Sequence, residues 1–525
     1  MKRHSTMLWG IGLVLGWLFD LFFWKQGLGL NFGLYAVLCV AGGVLILAVN
    51  QQRPAMGSLL LFPLILVFAG IAVLRAEPLT IFLAVVFTLF LMLVLANTYL
   101  AGRWLRYGVA DHFNAALRLL GSMLARPLSF QADVRKERLE AGNTEKRANP
   151  WPFARGIVIA VPIVAVFASL LASADAAFNT QLDAFLNYFA IQNLPEYIFR
   201  LVYILIGAYL LVGVILHAST QSGDEKLLGE DKPLVPAFLG FIEATIVLGS
   251  VALLFAAFVV IQFRYFFGGH ANINAMGFTY SEYARRGFGE LVTVAFFSLL
   301  MILVFEGITR RESSLQRRVF SGLGVAIVGL VMVMLVSAYQ RLVLYETAYG
   351  FSRLRTYTHV ALIWIGLLLV AVVVLELLQR QRAFGAAMLI ASLGFALSIA
   401  ALNVDGLIAG QNVERASEGH ELDVAYLASL SSDSVPTVVK AFEAKSTPQP
   451  VRDSLGAVLF CRQQASRASA STDWRSFTVS RWQAEMAMKR AASQLSGYRA
   501  LDESRPLRVS TPAGEVYPCY SGGMD

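Results

Sequence analysis

The chain has 525 residues, of which 57% are hydrophobic and only 15% are charged, and its mean hydropathy is +0.61. A soluble domain carries about 25% charged residues, so this composition excludes a soluble globular protein. The formal net charge is +8, but residues 403–525 hold 13 Lys or Arg against 14 Asp or Glu. The basic excess therefore lies in the first 402 residues, where it suits contact with a membrane surface, and no nucleic-acid partner is expected.

Apolar runs of about 20 residues follow one another along the chain, which is the length that crosses a bilayer as a helix. They predict an all-α, polytopic bundle of about eleven transmembrane helices. The predicted spans are 7–23, 29–49, 58–74, 79–100, 156–172, 197–216, 236–263, 291–309, 320–338, 359–378 and 384–401.

Basic residues predict the orientation of this bundle, because short loops rich in Lys and Arg stay in the cytoplasm. The segment 101–155 contains ten Lys or Arg, whereas the next loop, 173–195, contains none. The loops 310–319 and 379–383 are also basic. We therefore expect a bacterial cytoplasmic (inner) membrane protein with its N-terminus inside and, after eleven crossings, its C-terminus outside.

The basic segment 101–155 also has an apolar pattern at helical spacing. Its members are Leu105, Val109, Phe113, Leu117, Leu120 and Leu124. The pattern predicts an amphipathic helix in the inner interface of the membrane. A solvated connector helix packed on the bundle is the alternative.

These patterns divide the chain into four parts. They are a four-helix membrane region (1–100), the basic cytoplasmic segment (101–155), a seven-helix membrane region (156–402) and a small helical extracytoplasmic domain (403–525). In the last part Ser431-Ser-Asp433 reads as a helix cap before Pro436. A Cys461–Cys519 disulfide is expected there, since an oxidising compartment would hold both thiols, while two free thiols are the alternative.

Familiar catalytic and metal signatures are absent from the sequence. It has no phosphate loop, no His-Glu-x-x-His helix and no Gly-x-Ser-x-Gly elbow. The six histidines lack metal-ligand spacing. We therefore expect no metal and no cofactor.

Two predicted outer loops contain arginines where outer loops are normally poor in them. Tyrosines and acids are interleaved with these arginines, which predicts a polar cluster at the outer boundary together with residues 403–415. The candidate ligand-binding residues are Arg264, Tyr283, Arg285, Arg286, Arg341, Tyr345, Glu346, Arg353, Arg355 and Asp405. The alternative is that these side chains cap helices and anchor the bundle at the head groups.

The same segments resemble a family of uncharacterised bacterial multi-pass membrane proteins catalogued as a domain of unknown function. The resemblance covers roughly 155–490 and lies in motifs such as Tyr283-Ala-Arg285-Arg286-Gly287-Phe288, Asn403-Val-Asp405, Asn412-Val-Glu414-Arg415 and Asp473-Trp474-Arg475. The resemblance implies a membrane protein, and it brings neither an activity nor catalytic residues.

Three function classes remain open. The first binds or transports an anionic lipid or envelope precursor at the outer face, because guanidinium groups match phosphate oxygens. The second is a non-catalytic scaffold or sensor whose tail meets an extracytoplasmic protein partner. The third is an envelope transferase or hydrolase with Glu282, Glu346, Asp405 or Asp423 as general base.

Overall fold

The computed structural model is helical almost throughout, which confirms the predicted all-α class. It describes residues 1–140, 151–175, 178, 180–181, 194–223, 227, 236–266, 288–468, 473–501 and 507–519.

Thirteen helices make up the first 402 residues as far as they are described. They are α1 (Ser5–Phe23), α2 (Leu30–Val49), α3 (Met56–Leu59), α4 (Leu61–Leu74), α5 (Pro78–Thr98), α6 (Val109–Glu140), α7 (Trp151–Ala174), α8 (Leu194–Thr220), α9 (Phe241–Phe266), α10 (Phe288–Ile308), α11 (Ser314–Tyr349), α12 (Arg353–Leu377) and α13 (Phe384–Leu402).

Ten helices in the described part are long and apolar enough to cross a membrane. They coincide with ten of the eleven predicted spans, so the multi-pass architecture is confirmed. The remaining predicted span, 156–172, lies within α7, which is helical throughout but is not among those ten.

The loops between these helices alternate between two faces of the bundle. On one face, which we call the tail face, Ala76 donates its N–H to Asp433 and Leu30 donates to Phe477. On the opposite face Ala55 donates to Tyr99, at 2.8 Å. Residues 403–519, which we call the tail, therefore dock on the loops between α1 and α2 and between α4 and α5.

Helix α6 lies along the face opposite the tail. It begins after a short 3-10 turn, Trp104–Arg106, and near its end Lys2 reaches Glu137 at 2.6 Å. One side of α6 is an exposed apolar stripe at helical spacing, made of Val109, Phe113, Leu117, Leu120, Leu124 and Leu128. The other side of α6 packs on the bundle, where Leu119 and Phe130 are buried. The stripe faces away from the bundle, and the interfacial position of this helix stays a prediction. Leu105 precedes the helix and is not part of it.

Helices α1 and α8 approach closely because glycines face the contact. A Cβ atom on Gly16 would lie 2.6 Å from the carbonyl oxygen of Ile204, and one on Gly12 would lie 2.5 Å from Val212. Small residues four apart are the usual way for membrane helices to pack backbone against backbone.

The tail packs five helices around one apolar core. They are α14 (Val404–Ser417), α15 (Val424–Ser429), α16 (Val435–Glu443), α17 (Gln449–Ala468) and α18 (Val479–Ala491). Helix α14 follows α13 at Asn403, which has a φ of 49° and caps α14 by accepting the N–H of Gly406. Asn tolerates this left-handed conformation better than most residues.

A small antiparallel sheet ends the tail, and the helical pattern of the sequence did not predict it. Its strands are β1 (Arg499–Ala500), β2 (Arg508–Ser510) and β3 (Val516–Pro518), in the order β1-β2-β3. Strands of two or three residues are too short for an alternating pattern to emerge. The structure joins Cys461 on α17 to Cys519 after β3, with the Cα atoms 5.6 Å apart, and so ties the sheet to the helices.

Candidate ligand-binding site at the junction of tail and bundle

An ion pair between Arg353 and Asp405 joins the bundle to the tail. Arg353 begins α12, and its Nε and Nη2 donate to the two oxygens of Asp405 at 2.7 and 2.6 Å. The Asp405 side chain is 0% exposed, whereas that of Arg353 is 27% exposed. The Ser431 N–H donates to the same carboxylate. This bidentate arrangement fixes the first turn of α12 against the first turn of α14.

Further polar contacts surround this pair on the tail face. Glu77 caps α5 by accepting the N–H groups of Leu79 and Thr80, and it also accepts the Tyr357 hydroxyl. Glu77 is buried, so these donors replace the water that its carboxylate has lost. The α4–α5 loop is thereby connected to α12.

Arg75 and Asp433 connect the same loop to the tail. An Arg75 Nη1 lies 3.7 Å from an oxygen of Asp433, and its Nε donates to the carbonyl of Ala400 at 2.9 Å. The other Asp433 oxygen accepts the Ala76 N–H at 2.7 Å. Charged contacts therefore hold the tail to the α4–α5 loop and to the first turn of α12.

Arg462 adds a second cation beside Asp405. Its Nη2 donates to the carbonyl of Ser431 at 3.1 Å, while its Nε is buried without a partner among the described residues. Burial lowers the pKa of Arg462 to about 10, and Asp405 acts in the opposite direction. Arg462 therefore remains a cation at neutral pH and helps to balance the buried carboxylate.

Beside this ion pair lies a cavity of about 220 Å³ at the ends of α11 and α14. Its polar and aromatic lining includes Tyr349, Arg355, Arg415, Glu421, Asp423 and Tyr426. The cavity is adjacent to the last residue of one candidate span and the first turn of the next.

The shape of the turn from α11 to α12 positions the cavity. Gly350 ends α11 with a φ of +80°, and a Cβ there would lie 2.7 Å from the Asn412 Oδ1. Asn412 instead accepts the N–H of Phe351 at 2.8 Å and donates to its carbonyl at 2.9 Å. Helix α14 is thus held against the turn by two hydrogen bonds from the Asn412 side chain to the Phe351 backbone, and the close approach requires glycine at position 350.

Two guanidinium groups face this cavity from different elements. Arg415, on α14, donates its Nε and Nη2 to the carbonyls of Thr347 and Ala348 at 3.2 and 2.6 Å. Arg355, on α12, donates to the carbonyl of Gly350, and its guanidinium lies 4.1 Å from the ring centre of Tyr345. No ion pair within the described residues neutralises either arginine.

Two carboxylates line the same cavity from the α14–α15 connection. Asp423 caps α15 by accepting the Tyr426 N–H at 2.8 Å, and Glu421 is exposed two residues earlier. The Tyr426 hydroxyl accepts the backbone N–H of Arg353 at 2.9 Å, and burial raises the pKa of Tyr426. Tyr426 therefore stays neutral and connects the cavity wall to the Arg353–Asp405 pair.

The predicted ligand residues are divided among several places. Arg353, Arg355, Tyr345 and Asp405 lie at the junction around the ion pair and the cavity. Tyr283, Arg285 and Arg286 lie outside the described residues, and so does the side chain of Arg264.

Arg341 and Glu346 lie deeper in the bundle. Both are buried, with Arg341 donating to Gln262 at 3.0 Å and Glu346 lying 2.7 Å from the His359 Nε2. Arg341, Tyr345 and Tyr349 follow one another at four-residue steps, a spacing that favours one shared helix face. Nevertheless Arg341 is buried while Tyr349 is 55% exposed.

Arg415, Glu421, Tyr426 and Glu77 are absent from the predicted ligand set. Arg415 belongs to a motif that carries the family resemblance, but the sequence has no signal that its side chain contacts the turn after α11. The Glu77-Pro78 pair is a helix-start signal, since an acid at the N-cap before proline is favourable. It predicts the cap but not the contact with Tyr357.

A family model described as a domain of unknown function (DUF4153) matches residues 61–441. The chain belongs to this family. The match confirms the resemblance to this family. It starts earlier than the recognised motifs, so the family region includes α4 and α5, and it ends before the motif Asp473-Trp474-Arg475. The ion pair and the whole cavity lie inside it, whereas Arg462 and both bonded cysteines lie beyond it. No curated protein and no solved structure matches the chain.

Proposed function

We propose that this integral membrane protein binds the phosphate-bearing head group of an anionic lipid or a lipid-linked envelope precursor in the junction cavity. The observation that carries the proposal is the pair Arg355 and Arg415. Each guanidinium is held by backbone carbonyls on one side and lines the cavity without an acidic partner among the described residues. Guanidinium groups fixed in this way are suited to phosphate oxygens.

The position of the cavity relative to the bundle supports a lipid as the source of that phosphate. Tyr349 ends one candidate span and Arg353 begins the next, which is consistent with a cavity near the level of the head groups. Leu354, beside the cavity, is 75% exposed. An exposed leucine at this level fits contact with acyl chains.

The basic loops support placing the cavity on the extracytoplasmic side. Arg310 donates to the carbonyl of Ala237, and Lys2 pairs with Glu137, both on the face opposite the tail. Such residues favour the cytoplasm, so the tail would lie outside the bacterial inner membrane. The Cys461–Cys519 bond fits an oxidising compartment.

A non-catalytic scaffold or sensor is the second candidate function. Trp482 and Met486 lie one helical turn apart on α18, and both are about half exposed. An aromatic and a methionine on one exposed face suit a protein partner. A transferase or hydrolase has less support, because Asp405 and Glu346 are already engaged by Arg353 and His359. Of the other two candidate bases, Asp423 caps α15 and Glu282 lies outside the described residues.

Native mass spectrometry of the full chain in lipid nanodiscs tests the proposal. Arg355→Gln and Arg415→Gln should each reduce retention of phospholipid roughly tenfold or more, because each removes charged hydrogen bonds. Arg318→Gln is the matched control, since Arg318 is an exposed arginine at the other end of α11. Equal retention by all three variants, with unchanged thermal unfolding, would refute a phosphate site in the cavity.

A further inference from the structure

The cavity wall carries two kinds of charge, and both need a partner in the ligand. Arg355 and Arg415 line one part of it, and Glu421 and Asp423 line another. We infer that the ligand carries an ammonium group close to its phosphate, as phosphoethanolamine does. This inference rests on the phosphate contact of the proposed function, and it replaces the anionic head group with a zwitterionic one.

The two acids are available for such a group. Asp423 uses Oδ1 to cap α15, and Glu421 is exposed. Within the described residues no cation pairs with either of them. An ammonium offers three donors and a positive charge, which matches two neighbouring carboxylates.

The balanced charge of the cavity lining favours this zwitterionic ligand over a purely anionic one. Two guanidinium groups and two carboxylates leave the lining without net charge, so a head group with one phosphate and no amine would place its charge beside unpaired carboxylates. Repulsion of that kind is a common source of specificity. A head group that contains both charges avoids it.

The size of the cavity fits a head group rather than a whole lipid. Its volume of about 220 Å³ is below the roughly 300 Å³ at which pockets for drug-sized molecules begin. Acyl chains would then remain outside, along the exposed Tyr349 and Leu354. The same chemistry in a soluble phosphodiester would fill the cavity without this contact.

The test compares phosphatidylethanolamine with phosphatidylglycerol of identical acyl chains, using the full chain in mixed micelles and native mass spectrometry. We expect the wild type to prefer phosphatidylethanolamine by about tenfold, as one charge-assisted contact provides. The double variant Glu421→Gln/Asp423→Asn should lose this preference while retaining phosphatidylglycerol. Asparagine preserves the cap of α15, so the fold should survive.

Glu418→Gln is the matched control, because Glu418 is an exposed acid near the end of α14 that does not line the cavity. Equal binding of the two lipids by the wild type and the double variant would overturn the inference. If Arg355→Gln still weakened both lipids, the proposed phosphate site would stand without the amine. If Arg355→Gln weakened neither lipid, the proposed function itself would fail.

Soluble glycerophosphoethanolamine separates the two sources of the ligand. Competition by this compound at concentrations similar to those of the lipid would support the inference and assign a free phosphodiester as a source. Competition only by phosphatidylethanolamine would support the inference and assign the bilayer as the source.

Discussion

Replacing Arg353 with alanine should destabilise the attachment of the tail more than replacing its partner. Arg353→Ala leaves the Asp405 carboxylate, which is 0% exposed, with the Ser431 N–H but no cation hydrogen-bonded to it. Removing one partner of a buried pair typically costs about 3 to 5 kcal/mol. Arg462 lies nearby and would offset part of this cost, so the lower end of that range is expected.

The reverse substitution, Asp405→Ala, leaves a cation that is still 27% exposed. Arg353 can regain part of its hydration through that exposed surface. The buried Arg462 also loses a neighbouring carboxylate, but it keeps its hydrogen bond to the Ser431 carbonyl. The expected loss is therefore smaller, about 1.5 to 3 kcal/mol, the range for a hydrogen bond to a charged group. The double variant Arg353→Met/Asp405→Leu should recover stability relative to Arg353→Ala, because apolar residues of similar volume often replace a buried pair without loss.

Unfolding of the full chain in mixed detergent micelles, followed by tryptophan fluorescence, gives the free energies for this comparison. Lys2→Ala is the control, since the Lys2–Glu137 pair is exposed on both sides and its loss should change little. A smaller loss for Arg353→Ala than for Asp405→Ala would refute the argument from burial. A double variant less stable than both single variants would refute the claim that the pair can be replaced.

Three further predictions concern the tail and the bundle. Cys461→Ser should lower the stability of the tail by at most about 4 kcal/mol, because Cys519 lies 58 residues away and the disulfide closes a long loop. Non-reducing peptide mapping should find the two cysteines joined, and full alkylation of both thiols without reductant would contradict this. Gly16→Ala should destabilise the packing of α1 on α8 by about 1 to 3 kcal/mol. Gly10→Ala is the control, because a Cβ there meets nothing within 4 Å. Equal Tm values for the two variants would contradict the prediction. A reporter enzyme fused after Ser446 should be active outside the cytoplasm, and activity inside would reverse the orientation.

The spans were predictable because a bilayer imposes one length and one composition on every crossing. The apolar stripe of α6 was also predictable from the sequence, because its residues recur at helical spacing within a basic segment. Leu105 was wrongly included in this helix, because Arg103–Tyr107 form a tight turn that the apolar pattern does not register.

The site was only partly predictable, for a physical reason. Arginines near the predicted outer boundary were noticeable because the charge bias disfavours them there, and Arg353 and Arg355 were found in this way. The partner of Arg353 lies 52 positions later in the sequence and is brought to it by the fold of the tail. No local sequence pattern predicts that Arg415 contacts the end of α11 or that Asp405 pairs with Arg353.

The first turn of α12 combines the two roles that the sequence left as alternatives for these arginines, ligand binding and structural support. Arg353 turns towards the buried Asp405 and fixes the tail, while Arg355, two residues later, points to the cavity and keeps donors without an acidic partner among the described residues. Residues two apart on a helix project in different directions, so one turn can supply a structural contact and a ligand contact. The two arginines should therefore separate in experiment: loss of Arg353 should affect folding first, and loss of Arg355 should affect lipid retention with the fold intact. If the two variants instead behaved alike in both measurements, the cavity arginine would have a structural role and the ligand hypothesis would lose its basis.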